Sequence, residues 1–263
     1  MTMNKDSKEH MLKSLRENLR FDGRRLSDFR EISLELGVSD SAEGSARVRI
    51  GDTEVIAGVK LGVESPYPDT PDQGNLIVGT ELLPIANPAF EPGPPGTESI
   101  EISRVVDRGI RESKVIDIKA LCITPGEKVW AVNIDICSIN DSGNLIDCAA
   151  LATVAAIKDT VFPEFDGESV DYKKKSSKRL PLAKSRMPVT VTVVKIGEHL
   201  IVDPGFEEEA AIDARLTVAS TAEGVICSMQ KGGDKAISTE DVSSMIDLAL
   251  LKAREISKVV ERA

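Results

Sequence analysis

Three arginines carry the first chemical signal. Arg104, Arg108 and Arg111 lie in the run Glu101-Ile-Ser-Arg-Val-Val-Asp-Arg-Gly-Ile-Arg111. Spacings of four and three residues put them on one face of a helix. Ile102, Val105, Val106, Gly109 and Ile110 cover the other face. A row of guanidinium groups repels itself unless anions lie opposite, and the planar fork grips a phosphate bidentately. The spacing leaves two readings open: a phosphate-binding face, or a solvated face neutralised by acids such as Asp107 and Glu112.

Two further stretches could meet an anion. Asn140-Asp141-Ser142-Gly143-Asn144 is a glycine-bearing turn leading into a helix, whose free N–H groups can hold phosphate. Asp141 and Asp147 flank it and no Lys or Arg helps, so an N-cap turn is favoured. Lys173 to Arg186 is basic, with no Asp or Glu from Lys173 to Gly197. It reads as a flexible, solvated loop, with weak RNA or partner contact as the sharper alternative.

Much other chemistry is excluded. Only two histidines occur, His10 and His199, far apart and without nearby cysteines, so neither a zinc site nor a histidine-based triad is expected. The four cysteines are widely spaced beside Ile, Leu or Ala and read as buried, reduced thiols. There is no P-loop, no dinucleotide fingerprint and no nucleophile elbow. A net charge of −10 argues against a general nucleic-acid coat protein. It leaves room for a local arginine cluster, because salt screens surface fields within about 8 Å. The first twenty residues are charged and helical in pattern, so no secretory signal is expected. No apolar run approaches the ~20 residues of a membrane span.

The elements that must position these residues follow from periodicity. Ser7 to Arg20 reads as an amphipathic helix, with Met11, Leu12, Leu15 and Leu19 on one side. Strands follow at Glu31 to Val38, Gly44 to Ile50, Thr53 to Val63 and Asn75 to Leu83. Ala86 to Gly96 is a proline- and glycine-rich loop before the arginine helix, Glu98 to Lys114. Lys128 to Ile139 is an apolar strand. Asn144 to Asp159 is an alanine-rich helix, apolar nearly all round and therefore buried. A second block has a hairpin (Val189 to Ile196, Leu200 to Val202), strands at Ala211 to Ala219 and Gly224 to Met229, and a closing helix from Ser238 to Val260. Ser238 and Asp241 resemble a capping box. This gives an arm (1–25), a first α/β unit (26–163), a polar basic linker (164–187) and a second α/β unit (188–263), with helices covering sheets.

Four motifs in order resemble the RNase PH family of phosphorolytic exoribonucleases. They are Phe21-Asp-Gly-Arg-Arg25, the hairpin Gly44 to Ala57, the arginine helix Glu101 to Arg111, and Val202-Asp-Pro-Gly-Phe-Glu-Glu-Glu209. The last is similar to a segment typical of the non-catalytic RNase PH-like subunit of the archaeal exosome. The resemblance runs from about Phe21 to the C-terminus. It implies an α/β RNase PH fold of two stacked units related to the second domain of ribosomal S5. It implies a cytoplasmic hexameric ring, a trimer of heterodimers alternating with a catalytic RNase PH-like partner. Cap subunits with S1 or KH modules, and single-stranded RNA cleaved from its 3′ end by phosphate, complete the implied assembly.

Active members of the family hold the attacking phosphate on a Gly-Gly-Thr-Arg-Thr-like loop and carry an aspartate just before a Met-Pro strand start. This chain has Gly143-Asn-Leu-Ile-Asp147 at the first place, where Asp147 would repel phosphate. At the second, Arg186 precedes Met187-Pro188, and no residue from Ala183 to Val189 is a carboxylate. The resemblance therefore implies a chain without catalytic residues, cofactor or metal of its own. Arg104 and Arg108 match positions that reach RNA at the partner's active site, and Arg111 follows with weaker support. The alternative is an autonomous phosphorolytic enzyme that recruits another carboxylate, such as Asp203 or Asp135.

Overall fold

A computed structural model describes residues 5–262. Two sheets face each other with helices between them. The first sheet holds β1 (Ile32–Leu36), β2 (Gly44–Ile50), β3 (Thr53–Glu64), β4 (Asn75–Leu82), β5 (Cys122–Thr124) and β6 (Lys128–Asn140) in the order β1-β2-β3-β6-β4, with β5 on β6. All neighbours are antiparallel except β4, which runs parallel to β6. Alternation sets the inner face: Val55, Ala57, Val59 and Leu61 are buried while the residues between them are half-buried. The register places Val59 opposite Ile134 and Leu61 opposite Val132, so one apolar face is continuous across the sheet.

The second sheet is antiparallel throughout. It holds β9 (Pro188–Ile196), β10 (His199–Val202), β11 (Ala214–Thr221) and β12 (Ile226–Gly232) in the order β10-β9-β11-β12. The helix α2 (Thr97–Ser113) packs on β4 from the first sheet and on β12 and β11 from the second. Beside it, α3 (Leu145–Asp159) packs on β2, β3 and β9, and every residue from Leu145 to Ile157 is buried. A helix apolar all round suits a place between two sheets. A short helix, α4 (Phe206–Glu209), follows β10. The long α5 (Thr239–Arg262) covers β9 and β11 with Met245, Ala249, Ala253, Ile256 and Val260. Its capping box forms: the Asp241 N–H donates to Ser238 Oγ (3.0 Å) and the Ser238 N–H to Asp241 Oδ2 (3.1 Å).

Several expectations change. The first helix, α1, spans Lys5–Arg16, with Met11 and Leu15 sealed against Val194, Ile196, Ile201 and Ala211. It ends at Arg16, four residues before Arg20; Asn18 beyond it is in the left-handed region (φ 58°), and Leu19 is left exposed. The early stop turns Arg20 into the interior. Of the four free thiols only Cys148 is buried; the others are half-buried. The segment 164–187 is no structureless linker. β7 (Val161–Phe165) pairs with β8 (Val170–Arg179) as an antiparallel ribbon, followed by a single 3₁₀ turn, Lys184–Arg186. Phe162 and Phe165 anchor β7 edge-to-face on Trp130, at 5.0 and 5.5 Å between centroids. Almost all of β8 is exposed, so no burial period marks it in the sequence.

Candidate nucleic-acid interface

The arginine helix is fixed by its apolar stripe. Ile102, Val105, Val106, Gly109 and Ile110 are buried, and Gly109 lets α2 close on β11, where a Cβ would lie 3.3 Å from that of Ala219. Lys114 in the left-handed region ends the helix, its N–H donating to the Arg111 carbonyl.

The three arginines then part company. Arg111 is committed: it pairs with Asp107 (2.7 Å) and donates to the Leu76 carbonyl (3.1 Å). Arg104 and Arg108 are exposed and have no ion-pair partner among the described residues. They line a cavity of about 340 Å³ with Thr97, Glu101, Thr217, Ser228 and Gln230. The nearby Glu101 does not neutralise them, because it pairs with Arg215 (2.5 Å). Two open guanidinium groups beside hydroxyl and amide groups form a surface suited to phosphates and polar base edges.

At the N-terminus of α3 the turn is filled from within the chain. The Ser142 N–H donates to Thr53 Oγ1 (3.2 Å) and the Gly143 N–H to Asp141 Oδ1 (3.0 Å). The Asn144 N–H donates to the Glu209 carboxylate (2.8 Å). Gly143 is required here: its φ is +89°, and a Cβ would come within 2.6 Å of the Pro204 carbonyl oxygen. The segment from Val202 to Glu209 therefore lies directly on the turn and delivers Glu209 to the helix terminus. The cavity there, about 350 Å³, is also lined by Glu98, Glu101, Asp234 and Arg215. Glu209 keeps an exposed residue surface. The protein walls around its carboxylate desolvate it, Asp141 and Glu98 repel it, and its pKa is pushed up to about 7 against the pull of the Asn144 N–H. A cavity with this lining repels phosphate.

Asp147, expected to face that site, does not. It is buried, and it accepts from the Thr192 N–H (3.0 Å) and hydroxyl (2.8 Å). Desolvation raises its carboxyl to about 7. The group that meets the helix terminus is Glu209, sixty-five residues downstream of Asn144. Sequence spacing gave no sign of it beyond the acid-rich run Glu207 to Glu209.

Asp203 forms the centre of a second cluster. It is fully buried with φ 47°, and it accepts from Arg30 Nη2 (2.7 Å), the Arg30 N–H (2.8 Å), Arg24 Nη1 (2.7 Å) and Asn144 Nδ2 (2.9 Å). Burial alone would raise its pKa, but the Arg30 guanidinium holds it below the usual range. Arg20, 2% exposed, pairs with Glu208 and donates to the Val202 and Asp203 carbonyls. The motifs at Phe21 and at Val202 thus form one ionic lock. Asp135 is exposed between buried Ile134 and Ile136, on the sheet face turned away from α3. Arg186 sits on the exposed turn before β9. Among the described residues, no group of three or more His, Cys, Asp or Glu side chains is placed to hold a metal. No described helix is long and apolar enough to cross a membrane.

Comparison with known proteins gives this geometry a family. The 3′ exoribonuclease (RNase PH) family matches twice, its domain 1 at residues 28–163 and its domain 2 at residues 186–251. The exosome complex component Rrp42 of Methanosarcina acetivorans is 47% identical over 250 residues, covering 95% of this chain and 91% of the relative. Its counterpart from Methanothermobacter thermautotrophicus is 45% identical over 244 residues, covering 93% and 90%. Among solved structures, a chain of the Archaeoglobus fulgidus exosome with RNA bound to the active site superposes with a TM-score of 0.88 at 41% identity, covering 96% of this chain and 97% of that one. Rice Rrp46, at 20% identity and a TM-score of 0.69, shares the fold. The chain is a member of the RNase PH 3′ exoribonuclease family and has its mixed α/β fold.

Proposed function

We propose that this chain is a non-catalytic component of an exosome, a 3′-to-5′ phosphorolytic RNA-degrading complex, and that it offers Arg104 and Arg108 to RNA at a catalytic partner's site. One observation carries the reading: the Glu209 carboxylate sits on the Asn144 N–H at the helix terminus where the family's active members hold attacking phosphate. The absence of a carboxylate from Ala183 to Val189 agrees with it. Asp203 is no substitute, because two arginines and an asparagine already saturate it. Asp135 is on the wrong face of its sheet.

The relatives named as exosome components support assembly with other subunits. The partners are a catalytic RNase PH-like subunit, alternating with this chain in a hexameric ring in the cytoplasm, and S1- or KH-type cap subunits. Arg111 serves structure, held by Asp107 and the Leu76 carbonyl.

The test is phosphate-dependent degradation of a single-stranded RNA. The chain alone is expected to be silent, and mixing with its catalytic partner to raise activity well above the partner's own. In the assembled ring, Arg104→Ala with Arg108→Ala is expected to weaken RNA binding by at least about tenfold, because each charged hydrogen bond is worth roughly 1.5–3 kcal/mol. Assembly measured by light scattering stays intact. Activity of the chain alone would overturn the non-catalytic reading, and unchanged RNA affinity would overturn the role of the two arginines.

A further inference from the structure

The β7–β8 ribbon concentrates positive charge on a molecule whose net charge is −10. Lys173, Lys174, Lys175, Lys178 and Arg179 are all exposed on β8. Lys173, Lys175 and Lys178 have no side-chain ion pair among the described residues, and Lys174 has only a loose one with Asp171 (3.5 Å). The acids of the ribbon, Glu164, Asp166, Glu168 and Asp171, collect at its turn. Asp166 there accepts from the Glu168 and Ser169 N–H groups.

The pairing adds a geometric reason. Glu164 lies opposite Asp171 and Pro163 opposite Lys175, so one step on β7 spans four on β8. Pro163 has no N–H for the ladder, and the excess on β8, Tyr172-Lys173-Lys174, is thrown out as a large bulge. Tyr172 at the start of that bulge is 53% exposed, although it is a large aromatic residue. Lys60 Nζ stands over its ring at 5.1 Å and is itself held by Glu43 (2.7 Å). The aromatic ring is thus kept oriented on the surface instead of being buried. Lys173 and Lys174 lie in the bulge and Lys175 closes it, so three exposed ammonium groups follow directly on the exposed ring of Tyr172.

We propose that this bulged ribbon is a second single-stranded RNA contact, in which the lysines hold the phosphodiester backbone and one base stacks on Tyr172. An acidic polypeptide could neutralise the lysines, but it would leave the exposed aromatic ring unused. Stacking beside a basic track is how sequence-tolerant single-strand binders work. The contact is separate from the α2 arginines and does not depend on them.

The test uses the full chain, alone and in the assembled ring, in an Arg104→Ala, Arg108→Ala background, with labelled oligoadenylate as probe. Ultraviolet crosslinks are expected within Tyr172 to Lys178. The triple change Lys173→Gln, Lys175→Gln, Lys178→Gln is expected to weaken binding by at least about tenfold and to lower the slope of log affinity against log salt by about 2, at roughly 0.7 per single-strand phosphate contact. Tyr172→Ala is expected to weaken binding by about fivefold or more with the slope unchanged. No crosslink on the ribbon, with binding unaffected by either change, overturns the proposal. Displacement of the RNA by polyglutamate at equal charge, with Tyr172→Ala silent, overturns it in favour of an acidic protein partner. The background already lacks the two helix arginines, so failure here leaves their role untouched, and the reverse also holds.

Discussion

Two carboxylates far apart in sequence, Asp147 and Glu209, exchange roles at the start of α3. Asp147 stands in the first turn of the helix, but its carboxylate turns toward β9, where the Thr192 N–H and hydroxyl both donate to it, and it is Glu209 that accepts from the Asn144 N–H. Its carboxyl keeps its proton to about pH 7 in the folded chain, against an ordinary value of 3.8. Between those values the unfolded chain has released a proton that the folded chain still holds, so rising pH favours unfolding. Stability from this group is complete below about pH 4 and is lost as pH climbs to about 7. Asp147→Asn removes the titration and keeps an acceptor for Thr192. Urea unfolding between pH 5 and 7.5 is expected to show a smaller decline for the variant than for the wild type, by on the order of a few kcal/mol across the window. An equal decline in both proteins would refute the assignment.

The arginine helix shows how an element makes a surface. Its 3.6-residue period was plain in the sequence, and the buried and exposed faces fall where that period puts them. Its distance from the second sheet depends on one glycine. Gly109→Val would press a branched side chain on Ala219, already 3.3 Å from an added Cβ. Overpacking of this kind costs about 1–3 kcal/mol and shifts backbone. The variant is expected to lose that much in urea denaturation. It is also expected to lose RNA affinity in the assembled ring without any change to Arg104 or Arg108. The ribbon is the opposite case. Its strands pair only with each other and β8 faces water on both sides, so no apolar alternation betrays it, and its charge reads as a loop. Periodicity reports burial, and an element that buries little is not legible from it.

Across the whole molecule, Asp203 connects parts that are far apart in the chain. Arg24 comes from the arm, Arg30 from the approach to β1, Asn144 from the head of α3, and Asp203 itself from the end of β10. Arg30 also donates to the Ser142 and Gly143 carbonyls, tying the turn into the same lock. Removing one member of a buried ion pair leaves the other charges uncompensated, at about 3–5 kcal/mol. Asp203→Ala is expected to destabilise the chain by that amount in denaturant. It is also expected to raise the proteolytic sensitivity of residues 17–30, between α1 and β1, before the sheets open. A loss under about 1 kcal/mol would mean that the lock is dispensable.

The sequence by itself determined the mixed α/β architecture, nearly every strand and helix of the two sheets, and the family, because these rest on local periodicity and on motifs in a given order. It also separated Arg104, Arg108 and Arg111 as candidates, since helical spacing is a local property. What the tertiary structure decided was which of them are committed: Arg111 to Asp107 and Leu76, the other two to none of the described residues. It also decided that Glu209, and not Asp147, meets the helix terminus, and that the basic segment is a bulged ribbon. The Glu209 contact turns on groups sixty-five residues apart being brought within 3 Å of one another, and no spacing rule in one dimension contains that information.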